Sequence, residues 1–294
     1  MKVSTSQFFR TNANALSKGQ SSVSDLQAKL GSGKQLTSPS QDSKKTNQIS
    51  RLESALQRQG IYKANIQVAK TRLTMEETAL TSITEVLQRA SELAIQGANG
   101  TMAAEDRVVL GAEVAELRTE LTRLANTRDV DGNYIFAGNR IESAPFVADE
   151  NGNIEYVGDF GRLNLRVSDS RSVAVNTLGN ELLSSDDFAA MKALEEGLLA
   201  NDVASVRSSI DTLKASSDHL SVTFGKMAGR FSALNSQENL LEDTSLRLEI
   251  LLSGEQDLDY AKAVTELSRE SLALQALQAS FTKISQLSLF NYIR

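Results

Sequence analysis

Cysteine and tryptophan are absent from this chain, and its 294 residues include only two prolines and one histidine. Without cysteine, the protein can form neither a disulfide framework nor a thiolate metal site. Aromatic residues make up 5% of the sequence, too few for a core built around large rings. The length suffices for one large or two small hydrophobic cores, and we expect a thin core.

Neither sign of charge dominates, and no long apolar run occurs. Lysine and arginine number 31 against 37 aspartate and glutamate residues, for a net charge of -6. This balance gives no basic surface for nucleic acid or for an anionic membrane. No stretch of about 18 apolar residues is present, so we expect no membrane insertion. Residues 1–7 lack the apolar region of a signal peptide, so we do not expect the general secretory route.

Both ends of the chain carry apolar residues at intervals of seven, a spacing typical of a helix that packs along another helix. The N-terminal series is Phe9, Leu16, Val23 and Leu30, and the C-terminal series is Tyr260, Leu267, Leu274 and Phe281. We call these eight residues the terminal seam. Each series is the natural partner of the other, which predicts paired N- and C-terminal helices.

The residues around the N-terminal series are weak helix formers. Residues 2–48 are rich in serine, asparagine, glutamine, threonine and glycine. One narrow apolar stripe in such a segment offsets too little of the entropy cost of folding, so the segment alone should be largely disordered. We therefore predict that the terminal seam is an assembly element, which orders when it packs among neighbouring subunits.

Between the two ends the pattern is helical, then alternating, then helical again. Residues 48–95 and a shorter stretch from Ala104 place apolar residues at helical spacing, and in the first stretch only Glu76 interrupts the stripe. Alternating apolar residues on both sides of Asn151-Gly152 predict short strands and a hairpin. The helical spacing returns from residue 186, with an uninterrupted series that we expect to be buried inside the protein: Val206, Leu213, Leu220, Met227, Leu234, Leu241 and Leu248.

These patterns predict a mainly α protein, an elongated helical coiled-coil rod with a small β-rich insertion. We divide it into three parts. Residues 1–45 and 255–294 form a terminal coiled-coil assembly segment, residues 46–140 and 185–254 form a long-helix domain, and residues 141–184 form the β-rich insertion. The helices of the first two parts come from both halves of the chain, so the chain closes on itself.

No pattern in the sequence predicts chemistry. His219 lies beside Asp218, but no nucleophile stands at a meaningful spacing. Residues 129–133 and 149–153 resemble the opening of a calcium loop, yet each has its glycine at the fourth place and lacks the closing glutamate. Residues 31–34 do not follow a strand, as a phosphate-binding loop would. We therefore predict no catalytic, cofactor-binding or metal-ligating residues, and no enzyme.

Two boxes and the closing residues carry a resemblance to a known family. Residues 30–42, with Gly33, Lys34 and Pro39, are similar to a box shared by the flagellin-like proteins of bacterial flagella. Gln35 and Gln41 depart from it, because the family usually has arginine and an acidic residue there, so we expect no salt bridge at these positions. The second box, together with residues 287–293, resembles the hook-associated, hook-filament junction members of the family: Tyr134, Ile135, Phe136 and Gly138.

The resemblance implies a flagellin-like fold and a structural subunit of the bacterial flagellum. Such a subunit is exported unfolded through the flagellar type III channel without a cleaved signal peptide, and its location is extracellular. It assembles as a ring of like subunits between a neighbouring hook-associated junction protein and flagellin, and a cytoplasmic export chaperone is a further expected partner. In the family the terminal helices form an inner tube and the β insertion faces outward.

Three other functions stay open from the sequence. The filament subunit, flagellin itself, shares the terminal helices, although the second box and the single short insertion favour a junction protein. A secreted hydrolase would need a pocket with convergent polar groups, which the sequence does not provide. A cytoplasmic coiled-coil scaffold would have the same heptads but would not be exported.

Overall fold

The computed structural model describes the backbone of residues 2–290 and the side chains of residue 7 and residues 9–283. The chain is mainly helical, with two small β-hairpins between its third and fourth helices, as the sequence predicts. The helices are α1 (Lys2–Ser32), α2 (Ser43–Gly97), α3 (Ala104–Ala125), α4 (Gly179–Leu182), α5 (Ser185–Leu199), α6 (Val203–Gln256) and α7 (Tyr260–Phe290), and the strands are β1 (Phe146–Ala148), β2 (Ile154–Tyr156), β3 (Asn164–Arg166) and β4 (Ser172–Ala174).

The chain forms two compact units. The terminal unit contains the described residues up to Arg58 and from Asp243 onward, and the central unit is Gln59–Glu242. Both long helices, α2 and α6, contribute residues to each unit. The boundaries at residues 45 and 255 that the sequence suggests for the assembly segment stay a prediction.

The central unit has a dense apolar core. On α2 it contains Ile66, Leu80, Ile83 and Leu87, none of which exposes any measurable surface. The heptad series of α6 is buried as predicted from Val206 to Leu241, with at most 4% of each residue exposed, but its last member, Leu248, lies in the terminal unit and is only half-buried. Helix α5 packs along α3 and begins with a capping box, in which Asp187 bonds to the backbone of Ser184 and accepts a hydrogen bond from Ser216 of α6.

The insertion consists of two antiparallel hairpins. Strand β1 pairs with β2 in the register Val147 to Glu155, and β3 pairs with β4 in the register Leu165 to Val173. Around the turn at Gly152, whose φ is +77°, Asp149 accepts hydrogen bonds from the backbone of the residues that follow it. The predicted strands are present, and Val167 and Val173 face the core of the central unit, as do Phe146 and Ile154, whereas Val147 is 46% exposed.

Candidate assembly surface

In the terminal unit, α1 and α7 pack against each other along the terminal seam. The rings of Phe9 and Phe281 meet edge to face with their centroids 5.6 Å apart. Further along, a Cβ placed on Gly19 would lie 3.3 Å from Leu274 Cδ1, so the two helices are in close contact there. At the other end of the pair, Gly33 approaches Tyr260. Increasing residue numbers along α1 meet decreasing residue numbers along α7, so the two helices are antiparallel.

The seam is covered on one side only. Seven of its eight residues are half-buried, and 55% of Tyr260 is exposed. Among the side chains described in the terminal unit, Ala263 alone reaches full burial, at 3% exposed. Helices α6 and α7 also expose Leu246, Ile250 and Leu272, each by more than half. The helices of the terminal unit therefore expose apolar side chains and do not enclose a core, whereas the central unit has one.

Two backbone hydrogen bonds, which we call the bridge, join the turn after α1 to the turn before α7. Gln35 N donates to Gln256 O at 2.8 Å, and Leu258 N donates to Gly33 O at 2.9 Å. Gly33 has a φ of +70°, and a Cβ at this position would lie 2.9 Å from Tyr260 Oη. The positive φ therefore favours glycine here, and a larger residue would also have to displace the exposed Tyr260 hydroxyl. The bridge sets which residues of α1 and α7 face each other.

Of the two glutamines that depart from the family box, Gln35 holds this bridge and Gln41 bonds to α1. Gln35 Nε2 donates to Asp257 O at 2.8 Å, and Lys45 donates to Gln35 Oε1. Gln41 Nε2 donates to Asp25 Oδ1 at 2.6 Å. The sequence argument considered only the loss of charge at these positions and missed that the neutral amides form hydrogen bonds there. Of the other predicted box residues, Lys34 and Pro39 are exposed.

The second box lies in the central unit and belongs to the base of the insertion. Ile135 and Phe136 are buried, and Gly138 adopts a φ of +69° beside the backbone of Asp159. Phe136 O accepts hydrogen bonds from Gly179 N at 2.9 Å. Tyr134 is half-buried and stacks under the guanidinium of Arg128 at 4.3 Å. These residues are structural anchors, and residues 287–293 lie outside the described side chains.

A buried glutamate that the sequence showed only as an interruption connects α2 to the end of the insertion. Glu76 exposes no surface, and its carboxylate accepts hydrogen bonds from Thr177 N at 3.0 Å and Thr177 Oγ1 at 2.8 Å. Burial raises the pKa of Glu76 from its ordinary 4.5 to about 7, although the Thr177 hydrogen bonds and the positive charges of Arg72 and Arg230 oppose the rise. The sequence contained one sign of this buried contact, because Glu76 is the single polar residue in the apolar stripe of α2.

A buried arginine closes the turns at one end of the central unit. Arg107 is 4% exposed and donates to Gly97 O at 2.8 Å and to Asn99 O at 2.7 Å. Its third contact is Asn201, which has a φ of +55° in the turn between α5 and α6. One guanidinium thus satisfies the carbonyl groups at the end of α2 and ties them to a second turn. Sequence analysis did not single out this residue.

Two of the features that the sequence analysis considered for chemistry can be placed in the structure. His219 is exposed on α6. At the second calcium-like turn, residues 149–153, Lys192 Nζ donates to Asn151 O at 2.9 Å and to Asn153 Oδ1 at 3.1 Å. The lysine ammonium group therefore already binds two of the oxygens of this turn. Within the part of the chain that the structure describes, no three histidine, cysteine or acidic residues gather as metal ligands. No described helix is both long and apolar enough to cross a membrane.

Comparisons with known proteins agree with this architecture. The family described as the bacterial flagellin N-terminal helical region matches residues 3–140. The chain is 26% identical to flagellar hook-associated protein 3 of Escherichia coli, over 99% of both proteins, and 25% identical to that of Salmonella typhimurium, over the whole of both. A putative flagellar hook-associated protein from Vibrio parahaemolyticus has a similar fold, with a TM-score of 0.70 and 21% identity over 74% of this chain and 100% of that one.

Proposed function

We propose that the chain is a flagellin-like protein of the bacterial flagellum and, within that family, the non-enzymatic structural subunit that joins the hook to the filament. Its similarity to hook-associated protein 3 extends over the whole length of both proteins. This match, together with the second box at Tyr134 to Gly138 and the single short β insertion, favours the junction subunit over flagellin, the runner-up from the sequence.

One observation carries the proposed way of assembly: the terminal unit exposes apolar helices and encloses almost no core. Burying apolar surface stabilises by about 25 cal/mol per Å², so neighbouring subunits that cover the free side of the terminal seam would gain what the isolated chain lacks. The exposed Leu246, Ile250 and Leu272 add to this surface. We propose that like subunits pack there as a ring, with a hook-associated junction protein on one side and flagellin on the other.

Export follows from the same feature. We propose that the protein leaves the cell unfolded through the flagellar type III channel, without a cleaved signal peptide, and that a cytoplasmic chaperone covers its terminal helices until then. A helix pair without an enclosed core has little stability to lose on unfolding, which suits this route. In this account residues 1–45 and 255–294 assemble and residues 141–184 face outward.

Deletion of the gene tests the proposal. We expect cells with bare hooks, with flagellin released into the medium as monomer, and with filaments restored by a plasmid copy. Normal filaments on the hooks of the deletion strain would contradict the junction function. Bare hooks without any filament protein in the medium would instead identify the chain as flagellin. Finding the protein only in the cytosol of flagellated cells would support a cytoplasmic scaffold.

A further inference from the structure

The end of the insertion is attached to the helices of the central unit by a buried polar cluster. Residues 175–178, which we call the return segment, follow β4 and lead into α4. In this segment Asn176 and Thr177 are at most 2% exposed. Thr177 donates twice to the carboxylate of Glu76 on α2, and Arg230 Nη1 on α6 donates to Asn176 O at 3.2 Å. The Glu76 carboxylate therefore contacts the segment through which the chain returns from the insertion to the helices.

The same cluster extends into the insertion. Asn176 Oδ1 accepts from Leu163 N at 2.9 Å, and Asn176 Nδ2 donates to Gly161 O at 3.0 Å, so its amide holds the chain that enters β3. Three residues after Asn176, Gly179 N donates to Phe136 O at the second box. A loosened return segment would thus release contacts to β3 and to the box together, because buried polar networks act as a unit.

The charged groups that act on Glu76 are Arg72 of its own helix and Arg230 of α6, and the insertion faces it with the uncharged Thr177. Both arginines act on Glu76 through their charge, and their effect is smaller than that of the two hydrogen bonds from Thr177. The carboxylate is therefore balanced mainly by hydrogen bonds, in a site closed to water. Thr177 Oγ1 can donate to an ionised Glu76 or accept from a protonated one, so the contact has a satisfied form in each state.

We propose that Glu76 is a proton-controlled latch, which holds the return segment firmly when protonated and loosens it when ionised. The opened segment hydrates the carboxylate and removes the penalty of burying its charge. The pKa of Glu76 is about 7 when buried and 4.5 when solvated, so the closed state binds the proton more tightly. Raising the pH from about 4.5 to about 7 therefore weakens the closed state. This inference concerns the attachment of the insertion and is independent of the proposed assembly.

Hydrogen exchange at the backbone amides of Thr177 and Gly179 tests the latch in the full chain. With the intrinsic pH dependence of exchange removed, we expect protection in the wild type to fall about tenfold between about pH 6 and about pH 8, which follows from the shift of the Glu76 pKa. In Glu76→Gln the amide keeps an acceptor and a donor for Thr177 but cannot ionise, so protection should not change with pH.

The control is Glu77→Gln, which removes one negative charge from the next, exposed position of α2. It should keep the tenfold pH dependence of the wild type. Equal pH dependence in the wild type and Glu76→Gln would overturn the proposal, as would its absence from the wild type. If Glu76→Gln does not fold, the carboxyl resonance of Glu76 in labelled wild-type protein decides: a midpoint near 7 supports the latch, and one near 4.5 refutes it.

Discussion

Replacing Leu274 by aspartate should abolish incorporation of the protein into flagella while leaving the central unit folded. Leu274 is a half-buried seam residue in close contact with Gly19 of α1. In an assembled seam a carboxylate at this position would be cut off from water, and an unpaired buried charge is strongly unfavourable. We expect a loss of about 3 kcal/mol or more in assembly, which is roughly a hundredfold in affinity. Filament counts in a complemented deletion strain measure it, and Phe281→Asp should behave alike.

Ser268→Asp is the matched control for this prediction. It introduces the same charge on the same helix, at an exposed position outside the heptad series. Its filament count should stay near the wild-type value. The thermal unfolding of the central unit should be unchanged in all three variants, since the substituted positions lie in the terminal unit. Normal filaments with Leu274→Asp would show that the seam is not an assembly surface.

Replacing Arg107 by methionine should destabilise the central unit by about 3 kcal/mol. The substitution keeps much of the apolar stem but leaves Gly97 O, Asn99 O and the side chain of Asn201 without their charged donor in a buried site. Each lost hydrogen bond to a charged group of this kind contributes roughly 1.5–3 kcal/mol, and partial solvation of the turns recovers some of the total. Chemical denaturation followed by circular dichroism gives the value.

Arg89→Met provides the comparison for the arginine variant. Arg89 bonds to Glu113 and Glu92 at the surface, where 49% of its side chain is exposed, and exposed ion pairs contribute little to stability. The midpoint of unfolding should barely move. If both variants shifted the midpoint equally, burial of the guanidinium would not be the cause of the effect at Arg107.

The sequence predicted the helices, the hairpins and the terminal seam because each depends on a repeated spacing of apolar residues. The seven-residue spacing that includes Leu16 or Leu267 can be recognised without knowing which distant residues are in contact. The alternation around Asn151-Gly152 is equally local, because the loop of residues 149–153 and its two flanking strands are adjacent in sequence. Such periodic signals identify which face of an element is buried but not which polar atoms meet.

The polar contacts were not predictable in the same way. Glu76 binds Thr177, which lies 101 residues away, and Arg107 reaches Asn201 across 94 residues. No spacing rule connects such positions, and each residue type is usually found at the surface. Gln35 departs from the family pattern, so the resemblance suggested a lost salt bridge and gave no sign that its neutral amide bonds to Asp257 O.

Hydrogen exchange of the terminal helices, in the free protein and in hook-junction particles isolated from cells, tests the central claim most directly. If neighbouring subunits complete the core of the terminal unit, residues 9–30 and 260–281 should exchange much faster than the central unit in the free protein. The same residues should become as protected as the central unit after assembly. Full protection of both segments in the free protein, with no change on assembly, would contradict the account.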